Sequence, residues 1–359
     1  MKIYGILMAG GVGTRFWPRS RSKKPKQVLN ILGEETMIQA TFSRLQGLVE
    51  PENILIVTTE EQKDLIREQI PVLGADNFII EPEGKNTAPC IGLAAAHILT
   101  REQDAVMLVL PADHLVTRVN TFQNVIRVAA AFAAENEGLI TLGIKPNGPA
   151  TGYGYIQMGD KVAEKNGHPV CKVKTFAEKP NYETAVRFLE SGDFFWNSGM
   201  FIWKASTIME EIRKKLPDIH HGLLEVQKCV GDSAYPDTLR NIYHEMQGIS
   251  IDFGVMQAAE DVFVIPADLG WNDVGSWETV YEIAPKTGSG NAGEFQDLIE
   301  IGSQKSYVYA PEKLVALVGV KDLIVVDTGD ALLVCRKNSA QRVKDVVEKL
   351  KKSGKSEYL

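Results

Sequence analysis

The sequence predicts an open α/β sheet followed by a small C-terminal β domain, on three observations. Short apolar segments alternate with helical ones through residues 3–143. Ala105–Leu110 (AVMLVL) is apolar throughout, as a central strand covered on both faces must be. A Gly-rich break at Lys286–Gly293 then precedes a series of closely spaced short β segments. The 359 residues leave room for two domains. With 44% apolar and 24% charged residues, a sizeable core needs neither metal nor disulfide staples.

Each element follows from its residues. Ile3–Met8 is a short apolar strand and Thr36–Leu48 a helix. Asn53–Thr58 (NILIVT) is the second strand, Glu60–Gln69 a charged helix, and Phe78–Ile80 the third strand. The loop Glu81–Pro89 leads into a helix of small residues, Cys90–Leu99. Strand 105–110 ends at Pro111-Ala112-Asp113-His114; a helix at Phe122–Asn136 and a strand at Gly138–Gly143 follow. This alternation predicts a largely parallel sheet, whose ligands gather at the carboxyl ends of the strands. The glycine-rich segment after Met8, the Asn86 loop and Asp113 each follow a strand, so all three are expected at one rim.

From Thr151 the texture turns Gly-rich and aromatic (GYGYIQ, 152–157), with strands at Val170–Ala177 and Gly199–Trp203. An antiparallel extension able to cover a second substrate is expected here, with helices at Tyr182–Ser191, Lys204–Lys215 and His221–Val230. Past the 286–293 linker, Ser306–Ala310, Leu314–Val320, Asp322–Asp327 and Ala331–Cys335 predict a small β-solenoid or a compact sheet. No fixed-period repeat supports an extended solenoid. A charged helix, Ser339–Lys351, closes the chain.

Composition excludes several classes of function. The net charge of −7 argues against non-specific nucleic-acid binding, which needs a basic face. Cys90, Cys171, Cys229 and Cys335 show no C-x-x-C spacing, so neither a zinc site nor a disulfide framework is expected. Buried thiols suit a reducing compartment. The first residues run directly into a strand without a secretory h-region. No apolar run approaches the roughly 18 residues that span a bilayer. A cytoplasmic protein without a membrane partner is the expectation.

Leu7-Met8-Ala9-Gly10-Gly11-Val12-Gly13-Thr14-Arg15 carries the strongest chemical signal. Its three glycines bare the backbone so that N–H groups can approach anionic oxygens. Arg15, Arg19, Arg21, Lys23, Lys24 and Lys26 follow within twelve positions. The dinucleotide fingerprint fails because Phe16 stands where its third glycine belongs, and no Gly-Lys pair makes a Walker loop. A triphosphate or pyrophosphate is the favoured ligand, against a plain glycine turn followed by a solvated basic loop.

Four further segments offer chemistry, each with a structural alternative. Asp113, just past a buried strand, suits a Mg²⁺ ligand, or equally a helix N-cap or turn aspartate. Asp273, in Trp271–Trp277 (WNDVGSW), is a second candidate carboxylate or a turn residue. Glu178-Lys179-Pro180 can present a carboxylate to sugar hydroxyls and an ammonium to a phosphate, or form a strand-end ion pair. Trp196-Asn197-Ser198-Gly199 has the mixture found around carbohydrates, or makes a tight turn. The six histidines show no H-x-x-x-H pair, and G-x-S-x-G is absent. A transfer without a covalent enzyme intermediate fits these residues best.

Taken in order, LMAGGVGTRFWPRSRSKKPKQ (7–27), EPEGKNTAPC (81–90), LPADH (110–114), GYGYI (152–156), FAEKP (176–180), FWNSGMFIW (195–203), IDFGVM (251–256) and WNDVGSW (271–277) resemble the sugar-1-phosphate nucleotidylyltransferases. Within that superfamily they are similar to the monofunctional bacterial mannose-1-phosphate guanylyltransferases. The resemblance implies a Rossmann-like (GT-A-like) mixed sheet over 1–287. It also implies an abbreviated left-handed β-helix with a terminal helix over 288–359, short around Ile301–Pro311.

The same resemblance implies residue roles. Arg15, Lys26, Asp113 and Asp273 would be the catalytic set, with Mg²⁺ between Asp113 and Asp273. Leu7, Ala9, Gly10, Gly11, Gly13 and Thr14 would hold GTP, and Gly84, Asn86, Thr87 and Ala88 would help read guanine. Gly152, Glu178, Lys179 and Asn197 would surround mannose 1-phosphate, whose phosphate oxygen attacks the α-phosphorus of GTP to give GDP-mannose and pyrophosphate. A homodimer paired through the tail, and no isomerase activity, are further expectations. Competing readings are a nucleotidylyltransferase for another hexose phosphate or nucleotide, a catalytically silent regulatory subunit, and an NAD-binding oxidoreductase.

Overall fold

The computed structural model describes residues 2–359. In chain order the strands are β1 (Ile3–Met8), β2 (Ile54–Thr59), β3 (Phe78–Glu81), β4 (Val106–Pro111), β5 (Leu115–Val116), β6 (Leu139–Ile144), β7 (Tyr155–Lys165) and β8 (His168–Ala177). They continue with β9 (Phe194–Lys204), β10 (Val262–Pro266), β11 (Trp271–Asn272), β12 (Ala292–Ile301), β13 (Tyr307–Val318), β14 (Leu323–Asp327) and β15 (Leu332–Arg336). The α-helices are α1 (Met37–Ser43), α2 (Glu60–Gln69), α3 (Thr87–Leu99), α4 (Val119–Glu135), α5 (Tyr182–Ser191), α6 (Ala205–Lys215), α7 (Pro217–Cys229), α8 (Tyr235–Glu245), α9 (Trp277–Ile283) and α10 (Val343–Lys352). By backbone contacts the chain groups into two units, Met1–Gly10 with Thr41–Trp271 and Gly11–Ala40 with Asn272–Leu359.

The first unit holds a nine-stranded sheet in the order β3-β2-β1-β4-β9-β6-β10-β8-β7. The parallel part that the alternation predicts is β3-β2-β1-β4, with a parallel β6–β10 pair beyond it. The sheet is nevertheless mixed, not largely parallel. β9 lies antiparallel between β4 and β6, and β7 and β8 form an antiparallel ribbon. β9, apolar on both sides of Asn197-Ser198-Gly199, occupies the place where a fifth parallel strand would fall.

Register sets the functional edge. Met8 of β1 pairs with Pro111 of β4, and Thr59 of β2 with Glu81 of β3. Gly10, the loop after Glu81 and Asp113 therefore leave the sheet at the same carboxyl edge. α3 starts at Thr87, earlier than the sequence indicates, because the Asn86 side chain accepts the Thr87 N–H as an N-cap. α8, the π-helical turn Asp252–Met256 and β10 lie in stretches whose pattern the sequence does not resolve.

In the second unit β12, β13 and β14 run parallel and β15 closes antiparallel, a β-helix-like stack. The two short segments expected at 306–310 and 314–320 are one strand, β13, paired to β12 across a bulge at Phe295/Asp297. The 286–293 break is not an open linker. Thr287 N–H donates to the Asn291 carbonyl at 2.7 Å, Tyr281 donates to the Gly290 carbonyl at 2.9 Å, and Ala292 opens β12. Buried Asn291 accepts the Ser306 N–H and donates to Glu300, holding successive turns together. Among the described residues no helix is long and apolar enough to cross a membrane.

Candidate active site

In the second unit, the glycine segment and Lys26 form one tight structure. Gly13 has φ +73°, and a Cβ there would lie 2.4 Å from Lys26 Cβ. Only glycine fits, because the left-handed backbone and the lysine stem claim the same space. Ser20 donates to the Gly13 carbonyl at 2.6 Å and Gln27 Nε2 to the Gly11 carbonyl at 2.9 Å, closing the turn from both sides. Lys26 is buried and its Nζ donates to the Asp273 backbone carbonyl at 2.8 Å. The Arg15 side chain is exposed and makes no hydrogen bond or ion pair with any described residue.

The six-residue basic cluster divides into cations with different partners. Arg19 is buried, donates to the Asn30 carbonyl and Oδ1, and stacks 4.0 Å over the Tyr309 ring. Arg21 pairs with Asp330 at 3.0 Å. These two cations tie the segment to the C-terminal β strands through the Tyr309 ring and the Asp330 carboxylate. Trp277 is fully buried against Phe16 and Tyr307 and donates to the Trp17 carbonyl, so one tryptophan of the double-Trp segment anchors this same turn. Asn272 Oδ1 accepts the Val274 N–H at 2.7 Å, the turn chemistry expected of an Asn-Asp pair, and Asp273 sits on that turn.

The first unit carries the remaining candidates. Leu7 is fully buried, and the Ala9 N–H and C=O are engaged by the Val57 carbonyl and the Thr58 hydroxyl. Beside Gly10 lies the Glu81 carboxyl, whose Oε2 would stand 3.1 Å from a Cβ at that glycine. Burial raises the Glu81 pKa to about 7, partly offset by the hydrogen bond that Tyr243 donates at 2.9 Å. Gly84 and Asn86 are exposed. Thr87 and Ala88 are instead engaged with residues 249–251, the Ala88 N–H donating to the Ile249 carbonyl and Thr87 Oγ1 accepting the Ile251 N–H.

Asp113 lies in the turn after β4, partly exposed, and is not a helix cap, since α4 begins at Val119. Arg44 reaches the next carbonyl, that of His114, at 2.6 Å. Burial lowers the Arg44 pKa to about 10, which leaves it charged at neutral pH. The Trp271 indole donates to His114 Nδ1 at 3.2 Å, so the His114 proton sits on Nε2. Nε2 stands 3.9 Å from Asp113 Oδ1, too far for a direct hydrogen bond. Trp271, Tyr153 and Trp196 continue edge to face toward Asn197, with centroids 5.4 and 4.9 Å apart.

Asn197 is turned inward by a bulge: Thr141 pairs with Phe201 but Gly143 pairs with Asn197. Three residues of β9 thus face one of β6, and such bulges re-aim side chains. Asn197 N–H donates to the Gly154 carbonyl at 2.8 Å. Glu178 closes the same corner, its Oε2 2.6 Å from where a Gly154 Cβ would lie, and Lys179 Nζ donates to Glu178 Oε1 at 2.6 Å. The strand-end ion pair is therefore present. Gly152 is exposed with open space around it; the glycine pressed against Glu178 and Asn197 is Gly154. Sequence reasoning misses Gly154 and also Asp252, which accepts from Asn197 Nδ2 at 2.7 Å. The signal for Gly154 lies in the second glycine of GYGYI.

The candidate carboxylates Asp113 and Asp273 are hard oxygen donors of the kind Mg²⁺ accepts, singly or in pairs, while it keeps several waters. Among the described residues no group of three or more His, Cys, Asp or Glu is arranged to hold a metal ion.

Comparison with known proteins places this geometry in a class. The nucleotidyl transferase family matches residues 4–290, and a mannose-phosphate isomerase/GMP-like β-helix domain matches residues 296–350. The chain belongs to the nucleotidyl transferases and, within them, to the mannose-1-phosphate guanylyltransferase family. It is 41% identical to the mannose-1-phosphate guanylyltransferase of Escherichia coli K12, over 99% of this chain and 75% of that protein. It is 42% identical, with the same coverage, to mannose-1-phosphate guanylyltransferase ManC of Salmonella typhimurium. A crystal structure from Thermus thermophilus, described as a mannose-1-phosphate geranyltransferase, superimposes with a TM-score of 0.87 at 32% identity. That match covers 98% of this chain and all of the other.

Proposed function

We propose that the chain transfers a guanylyl group from GTP to mannose 1-phosphate. A phosphate oxygen of the sugar phosphate attacks the α-phosphorus, the bond from that phosphorus to the bridging oxygen breaks, and pyrophosphate leaves. The observation that carries this reading is the family match along the whole chain, joined to a glycine turn whose Arg15 has no side-chain partner among the described residues.

Each residue has a physical task in this scheme. The bare backbone of Gly10, Gly11 and Gly13 and the Arg15 guanidinium hold triphosphate oxygens. Lys26, fixed by the Asp273 carbonyl, offers charge to the pyrophosphate as it forms. Exposed Gly84 and Asn86 are the parts of their loop best able to meet a base, Asn86 through its Nδ2 because its Oδ1 caps Thr87, while Ala88 is buried and Thr87 Oγ1 bonds to Ile251. Glu178 and Asn197 receive and donate hydrogen bonds to sugar hydroxyls, and Lys179 draws the sugar's phosphate. Asp113 and Asp273 would hold Mg²⁺, which when bound neutralises phosphate charge.

A homodimer is part of the proposal. Ile299, Ile301, Leu314 and Val318 are exposed, and on the β12–β13 ladder Ile301 pairs with Val318 and Asp297 with Leu314. Such an aliphatic sheet face supports pairing with a second copy. The charged substrates suit a cytoplasmic enzyme.

Pyrophosphate release with each nucleoside triphosphate and each of several hexose 1-phosphates, at millimolar magnesium, tests the assignment. GTP with mannose 1-phosphate should exceed every other pair in kcat/KM. Equal use of other nucleotides or hexoses would reject the specificity while leaving the class intact.

A further inference from the structure

The motif Ile251–Met256 (IDFGVM) has no task in the scheme above, yet its aspartate holds the amide assigned to the sugar. Asp252 opens a π-helical turn, and its Oδ1 accepts from Asn197 Nδ2 at 2.7 Å. The other side of that amide is equally committed. Asn197 Oδ1 accepts the Gly199 N–H at 3.2 Å and lies 3.0 Å from the Thr141 hydroxyl. Two donors on the oxygen and a carboxylate on the nitrogen permit only one orientation of the amide. The second N–H of Nδ2 has no partner among the described residues.

We propose that Asp252 is a positioning residue for the sugar phosphate: it fixes the Asn197 amide so that its remaining N–H meets a hydroxyl of the hexose ring, on the face closed by Glu178. The inference rests on the sugar 1-phosphate reading of this face. A carboxylate serves better than a neutral acceptor because a charge-assisted bond to an amide N–H is the stronger one.

The charges around Asp252 make the device sensitive to pH. The groups that act on it are Glu178 and Lys179, both in the segment that follows β8. Burial above all, then the Glu178 charge, pushes the Asp252 carboxyl up to about 6, against the pull of the Asn197 hydrogen bond and Lys179. As pH falls through that value Asp252 gains a proton and the charge-assisted bond is lost. KM for the sugar phosphate then rises while KM for GTP does not. The substrate's own phosphate also titrates near about 6, so the variant is needed to isolate the protein's share.

Steady-state kinetics of the full chain with GTP and mannose 1-phosphate, comparing native protein with Asp252→Asn across about pH 5.5 to 8, is the test. Loss of one charge-assisted bond should raise the sugar phosphate KM by about tenfold at the alkaline end, leaving KM for GTP within about twofold. The variant should show a shallower acid rise, retaining only the part that belongs to the substrate. Asn197→Ala should reproduce the alkaline effect, and the double variant should be no worse than Asn197→Ala alone, because Asp252 acts through that amide. Thermal melting checks the fold, and Asp252→Ser replaces Asp252→Asn if the latter melts early. An unchanged sugar phosphate KM, equal movement of both KM values, or multiplying effects in the double variant would overturn the proposal. Native protein that uses no sugar 1-phosphate at all would instead reject the reading beneath it.

Discussion

The glycine turn of residues 11–28 and the corner around Asn197, for which we propose the triphosphate and the sugar phosphate as ligands, fix their polar groups by opposite means. The turn works by subtraction: a side chain is missing at Gly13, the Lys26 stem fills the space, and the backbone is left bare for the ligand we propose there. The corner works by mutual restraint, with Asn197, Asp252, Thr141 and Glu178 each held by another side chain or a nearby carbonyl. A backbone cradle is fixed by sterics and should fail abruptly. A network of side chains should fail by degrees, because each bond is backed by others.

The largest effect should come from charge in the turn. Lys26→Met keeps the packing of the stem but removes the ammonium from the Asp273 carbonyl. It should lower kcat by about 10²- to 10³-fold, the usual scale for losing one preorganised electrostatic contact, and destabilise by about 1.5–3 kcal/mol, the worth of one hydrogen bond from a charged group. Comparable kcat in the variant would remove Lys26 from the catalytic set. Next comes Gly13→Ala, which adds left-handed strain and a clash with Lys26 Cβ. It should destabilise by about 2–4 kcal/mol, read as a lower denaturant midpoint. Gly11→Ala, with open space around it, should leave the midpoint unchanged.

In the corner the corresponding steric test is milder. Gly154→Ala drives a methyl group into Glu178 Oε2, but that oxygen is at the end of a side chain that can swing aside. Sugar phosphate KM should rise by about tenfold, roughly 1.4 kcal/mol, with KM for GTP unaffected. A stability loss as large as that of Gly13→Ala would mean that this corner is as rigid as the turn, and the contrast between the two regions would fall.

How much is legible in the sequence follows from the same contrast. The turn is local, so Gly10, Gly11, Gly13, Arg15 and Lys26 are all visible as a pattern within twenty residues. The strands β1 to β4 and their shared edge are equally legible, since apolar runs and alternation encode them. What escapes depends on partners far apart in sequence. Arg19 and Arg21 look like phosphate ligands because Tyr309 and Asp330, about three hundred residues away, are invisible to a local pattern. Asp252 meets Asn197 across a separation of 55 residues, on a strand whose pairing is shifted by the β9 bulge. β9 itself defeats the parallel-sheet expectation because apolar segments such as 200–203 carry no information on strand direction. Gly152 draws attention in place of Gly154 for a related reason: spacing marks a glycine-rich segment, but only packing says which glycine is essential.

The smallest predicted effect separates a backed-up network from a chain of single points. The Thr141 hydroxyl lies 3.0 Å from Asn197 Oδ1 and 3.1 Å from the Met200 carbonyl, and its one proton serves one of them at a time. Thr141→Val removes that proton, but the Gly199 N–H still holds the Asn197 oxygen and Asp252 still holds the nitrogen. The stability cost should be about 1 kcal/mol, that of one ordinary hydrogen bond, and sugar phosphate KM should rise by only about two- to threefold. If Thr141→Val instead matched Asp252→Asn in its effect on that KM, the amide would depend on every partner at once. The corner would then share the all-or-none behaviour of the glycine turn, and restraint by side chains would offer no more tolerance than a backbone built around an absent one.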